Sequence, residues 1–101
     1  MATIIGTNLD EILFGTNQGD TIKGEGGDDI VKGRYGDDSL EGGAGDDRLN
    51  AGYGDDTVCG KRGDDQLFGS FGNDLLKGNS GDDRLFGGYG GDRMKGGNGN
   101  D

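Results

Sequence analysis

The nonapeptide GGAGDDRLN, residues 42–50, decides how the chain is to be read, because near-copies flank it. GRYGDDSLE (33–41) comes before it and AGYGDDTVC (51–59) after it. From Gly6 the sequence divides into blocks of nine with no insertion or deletion. Ten full blocks span 6–95, the partial block GGNGND spans 96–101, and Thr3 to Ile5 fit as the tail of an earlier block. A fixed period of this kind is the mark of a repeat architecture.

Four columns of the block carry the pattern. The first is glycine except at Ala51, and the fourth is glycine from Gly27 onward, with Leu9 and Gln18 in the first two blocks. The sixth is Glu11 and then aspartate: Asp20, Asp29, Asp38, Asp47, Asp56, Asp65, Asp74, Asp83, Asp92 and Asp101. The eighth is aliphatic or methionine, from Leu13 through Leu49 to Met94. The second, third, seventh and ninth columns vary widely.

Each column has a physical meaning. Glycine-rich positions one to six reach conformations closed to other residues and make a tight loop. Positions seven to nine are too short for a helix and suit a brief strand whose middle side chain points inward. One such unit cannot bury its own apolar residue, but stacked copies can. The pattern predicts an all-β parallel solenoid in which two blocks form one coil of 18 residues, with two strands facing each other. At about 4.8 Å between stacked strands, five and a half coils give a rod roughly 25 Å long. The whole chain, 1–101, reads as one domain, and the eighth-position column, with Ile4, as its core.

Composition narrows the function. The chain has 101 residues, 26 glycines, no proline, no histidine, one cysteine and a net charge of −10. Low hydrophobicity, high charge and abundant glycine alone describe a disordered chain. The negative sign opposes nucleic acid and favours a cation as partner. A lone Cys59 allows no internal disulfide. The N-terminal stretch MATIIGTNLDEILFG lacks the basic and long apolar regions of a cleaved signal peptide, and no segment approaches the roughly 20 apolar residues of a membrane helix. Without histidine there is neither an HExxH zinc site nor a Ser-His-Asp triad, and GxSxG, GxGxxG and GxxxxGK[ST] are absent. An enzyme is not expected.

The blocks resemble the RTX repeat, the hemolysin-type glycine- and aspartate-rich nonapeptide of secreted bacterial proteins, over essentially the whole chain. That resemblance implies a right-handed parallel β-roll, and calcium ions shared between neighbouring loops on one side of the roll. The chemistry agrees. Calcium takes six to eight oxygen ligands in tolerant geometry, magnesium demands a stricter octahedron, and zinc prefers the nitrogen and sulfur this chain lacks. Aspartates 18 residues apart fall into register and repel one another unless neutralised. The expected ligands are the carboxylates Asp20 to Asp101 of the sixth column, with backbone carbonyls of loop residues such as Gly24, Gly33, Gly42, Gly60, Gly69, Gly78 and Gly87. Pairing loops 18 residues apart gives about eight ions. The first two blocks, with Leu9, Gln18 and Glu11, depart most from the pattern. Fifth-position aspartates are turn-formers, solvated charges or further ligands.

Two functions follow. One is a calcium-responsive module associated with type I secretion, disordered in the cell and folded outside it, exported without a cleaved signal. The other is a free-standing extracellular adhesion or ligand-binding roll. Tyr35, Tyr53, Phe71 and Tyr89 share the third position at 18-residue spacing and should form an outer aromatic ladder, either a stabilising stack or a binding strip. Phe68 and Phe86 should touch on one strand face. An ice-binding roll needs a regular Thr/Asn face, and GTN occurs only at Gly6 and Gly15. The chain stops inside a loop, which predicts either a piece of a longer array within a larger protein or an end that stacks on a partner copy.

Overall fold

The structure is a computed structural model and describes residues 2–99. Eleven short strands alternate with loops along the chain: β1 (Thr3–Ile5), β2 (Ile12–Phe14), β3 (Thr21–Lys23), β4 (Ile30–Lys32), β5 (Ser39–Gly43), β6 (Arg48–Asn50), β7 (Thr57–Lys61), β8 (Gln66–Phe68), β9 (Leu75–Asn79), β10 (Arg84–Phe86) and β11 (Arg93–Lys95). Odd strands form a six-stranded sheet in the order β1-β3-β5-β7-β9-β11, and even strands a five-stranded sheet, β2-β4-β6-β8-β10. Every strand pairing is parallel with an 18-residue offset, as in Ile22↔Leu40, Leu40↔Val58 and Val31↔Leu49. The molecule is therefore a parallel β-solenoid of about five turns, two nonapeptides per turn.

The alternation of side chains along each strand explains the core. Ile22, Val31, Leu40, Leu49, Val58, Leu67 and Leu76 meet between the sheets and are fully buried, while positions seven and nine face outward. Ala51 joins them from a first-position site. The slab is thin, with extents of 30 × 29 × 13 Å. Ile4, Leu13 and Leu85 pack on the cluster but are only partly covered. Met94, expected in the core, is 52% exposed because β11 is an edge strand, with a neighbouring coil on one side only.

Two details depart from the three-residue strand. Strands β5, β7 and β9 run on into the following block, pairing Gly43↔Lys61 and Lys61↔Asn79. The second position, variable in sequence, adopts positive φ from the third block onward, including Glu25 (75°), Arg34 (79°), Lys61 (77°), Ser70 (72°) and Asn79 (72°). Five non-glycine residues in the left-handed region carry local strain that the surrounding coils hold in place.

Candidate metal centre

The loops stack into two rows, one on each side of the slab, and hydrogen bonds tie each loop to the next. Third-position N–H groups donate to second-position carbonyls of the preceding coil, as in Tyr53 N to Arg34 O at 2.8 Å and Ala44 N to Glu25 O at 2.7 Å. The sixth-position carboxylates add a second ladder. The backbone N–H of Asp29 donates to Asp47 Oδ1 (2.7 Å), Asp47 to Asp65 (2.8 Å), Asp38 to Asp56 (2.6 Å) and Asp56 to Asp74 (2.9 Å). Fifth-position side chains run a third ladder in the opposite sense: Asp28 Oδ1 accepts from Asp46 N, and Asp46 Oδ1 from Asp64 N, both at 2.8 Å. These exposed aspartates are thus turn-formers that bond between coils.

One oxygen of each sixth-position carboxylate is spent in this way. The other is not. Oδ2 of Asp29, Asp38, Asp47, Asp56, Asp65 and Asp74 is buried and accepts no hydrogen bond. These oxygens point at the first-position glycine of their own block, where a carbonyl from the next coil also arrives. A methyl group placed on Gly24 would stand 2.6 Å from Asp29 Oδ2 and 2.6 Å from the Gly42 carbonyl oxygen. On Gly33 it would meet Asp38 Oδ2 at 2.6 Å and the Ala51 carbonyl at 2.7 Å; on Gly69, Asp74 Oδ2 at 2.6 Å and the Gly87 carbonyl at 2.8 Å. The glycine leaves carboxylate and carbonyl oxygens facing each other with no side chain between them. A parallel pairing occurs at the fourth position, where Gly45 lies against the Gly27 carbonyl and Asp28 Oδ1.

An unpartnered buried carboxylate oxygen is costly. Burial pushes Asp38 and Asp74 up to about 6, Asp47 to about 7, and Asp56 and Asp65 to about 8; the backbone N–H bond opposes it and neighbouring aspartates add to it. Asp29 is raised for the same leading reason. Loss of water therefore weighs more on these groups than the mutual repulsion expected from their register. Among the described residues no three acidic or thiol side chains converge on one point, so a cation here would be held by carboxylate and carbonyl oxygens together. An all-oxygen, negatively charged, dehydrated set fits calcium.

Of the expected ligands, the structure brings the carbonyls of Gly24, Gly33, Gly42, Gly60 and Gly87 beside sixth-position acids, and adds those of Ala51 and Gly96. Register alone could have supplied these last two. Gly69 and Gly78 hold the equivalent place in the repeat. Asp83 is buried and its Oδ1 accepts from Asp65 N; Asp92 is half-buried and accepts from Asp74 N. Asp101 lies outside the described residues.

Asp20 differs from the rest. Thr16 N–H donates to its Oδ2 at 2.5 Å, and the Thr16 hydroxyl lies 3.0 Å from both carboxylate oxygens. These bonds, led by the Thr16 backbone N–H, hold its carboxyl below the usual range despite burial. In the first block Thr7 N–H likewise donates to Glu11 Oε1 at 2.6 Å. Hydroxyl-bearing loops satisfy their acids internally, where the glycine-rich loops leave them open.

The third-position rings stack as a ladder. Tyr35–Tyr53, Tyr53–Phe71 and Phe71–Tyr89 centroids are 5.0, 4.8 and 5.1 Å apart, with planes within 8° of parallel. Each inner ring face is covered by its neighbour, which leaves mainly edges and the end faces to solvent. Phe68 and Phe86 touch as expected, at 4.9 Å.

The profile of the RTX calcium-binding nonapeptide repeat family (4 copies) matches residues 5–34, 32–67 and 68–101. No curated protein and no solved structure matches the chain. Among the described residues no helix is long and apolar enough to cross a membrane.

Proposed function

The chain belongs to the RTX calcium-binding nonapeptide repeat family, and from that premise we propose that calcium binding and folding of this β-roll are one event. The observation that carries this is the row of buried carboxylate oxygens without partners, Asp29 to Asp74. They would hold the ions with first-position carbonyls of the adjoining coil, and Asp83, Asp92 and Asp101 continue the same register, for about eight ions. Bound calcium supplies positive charge and coordination where water has been removed. A slab this thin, built on one apolar side chain per nonapeptide, has little hydrophobic burial with which to offset that desolvation.

Extracellular calcium modules operate at about 10⁻⁴ to 10⁻³ M, well above cytosolic levels. The chain is accordingly a calcium-responsive module of a secreted protein, unfolded before export through a type I route and folded outside the cell. The ladder Tyr35, Tyr53, Phe71, Tyr89 acts as scaffold, since ring faces that a ligand would use are engaged with one another. Circular dichroism during a calcium titration at pH 7.5 tests the proposal. A β signal that emerges cooperatively with calcium supports it; a full β signal in excess EGTA sinks it.

A further inference from the structure

Although the protein is strongly acidic, its acids are not spread evenly. The outward positions of the five-stranded sheet carry Lys32, Arg48 and Arg84 and no carboxylate. The ninth-position column on this face reads Phe14, Lys32, Asn50, Phe68, Phe86, one residue per coil. Its two ends pull apart. The Lys32 ammonium lies over the Phe14 ring, 5.9 Å from its centroid, and Phe68 stacks on Phe86 at 4.9 Å. Between them the short Asn50 leaves a gap, a cleft of about 240 Å³ lined by Ile30, Lys32, Arg48, Asn50 and Phe68.

The cleft has a definite chemistry. Asn50 Oδ1 accepts from the Ser70 hydroxyl at 2.9 Å, so its amide offers N–H groups. Arg48 Nε donates to Gln66 Oε1 at 3.3 Å, which steadies the guanidinium along the face. Lys32 and Arg48 offer only donors and positive charge. One face of Phe68 is covered by Phe86, and the other looks along the rod toward Asn50. Coil spacing and ring-stacking distance coincide here, so a flat ring placed over Asn50 would continue the Phe86–Phe68 stack by one rung.

We propose that this vacant rung is a binding site for an aromatic carboxylate, its ring stacked on Phe68 and its carboxylate held by Arg48 and Lys32. The site is separate from the calcium loops and does not depend on the ion assignment. Benzoate is the probe, followed by nuclear magnetic resonance in the folded protein. The expected result is saturable shifts at Phe68, Asn50 and the Arg48 Nε–H, with benzoate about tenfold tighter than benzyl alcohol, which lacks the charge, and than acetate, which lacks the ring. The pair Lys32→Gln and Arg48→Gln should bring benzoate down to the benzyl alcohol level and leave benzyl alcohol unchanged. Asn50→Phe, which fills the rung in a column that already accepts phenylalanine, should abolish binding with the fold intact. Equal affinity for benzoate and either control, shifts centred on the Tyr35–Tyr89 ladder, a non-saturating response, or unimpaired binding by Asn50→Phe would each overturn the proposal.

Discussion

Protons should partly replace calcium in stabilising the roll. In the metal-free folded state burial raises Asp56 and Asp65 from 3.8 to about 8. A shift of about four units, at about 1.36 kcal/mol per unit, makes the charged form of one such group roughly 5–6 kcal/mol less favourable in the folded chain than in the unfolded one. Asp47, raised to about 7, and Asp38 and Asp74, raised to about 6, act in the same direction. Because they share ladders with Asp65 and Asp56, their contributions are not additive. Between pH 4 and 8 the folded chain holds more protons than the unfolded one. Its stability is therefore greatest below the unfolded value of 3.8 and declines as pH rises through 6 to 8. Even one group of this kind is comparable to the whole stability of a small domain. Asp20, held below its ordinary value, works in the opposite sense and loses its contribution only in strong acid. The assay is far-ultraviolet circular dichroism with urea titration in calcium-stripped buffer at pH 5, 6.5 and 8, repeated with calcium. Without calcium, the β signal and urea midpoint should be highest at pH 5 and fall toward pH 8; with calcium the dependence should flatten. A metal-free midpoint that is constant or rises from pH 5 to 8 would refute the burial of unpartnered carboxylates as the controlling cost.

Two substitutions test the loops. Gly63→Ala places a methyl group at φ 104° against the Gly45 carbonyl; it should cost about 2–4 kcal/mol in calcium-saturated urea unfolding, whereas Lys61→Ala, at a left-handed position that already bears a side chain, should cost less than about 1 kcal/mol. Thr16→Gly removes the hydroxyl that occupies the Asp20 carboxylate and gives its loop a glycine-rich second position; calcium stoichiometry measured by equilibrium dialysis should rise by about one ion per chain, and an unchanged count would show that Thr16 does not close the site.

The nine-residue period by itself determined the coil, the parallel pairing, the inward eighth-position column and the aspartate rows. Each of these follows from counting: residues 18 apart share a face whatever the details of the loop. It also pointed to the aromatic ladder and to the Phe68–Phe86 contact. What depends on distances between coils was not legible. The carboxylates of Asp29 to Asp74 prove to be limited more by dehydration than by repulsion, because the coils approach closely enough for a backbone N–H to occupy one oxygen and exclude water from the other. Glu25, Arg34 and Lys61 adopt left-handed backbone that their side chains disfavour, since the stacked loops impose one conformation on the second position regardless of residue type. Met94 follows the core pattern in sequence yet stands half in solvent, because burial in a solenoid comes from the neighbouring coil and an edge strand has one on a single side. The cleft over Asn50 likewise exists only in three dimensions: two stacked pairs lean apart, and the space between them belongs to no single repeat.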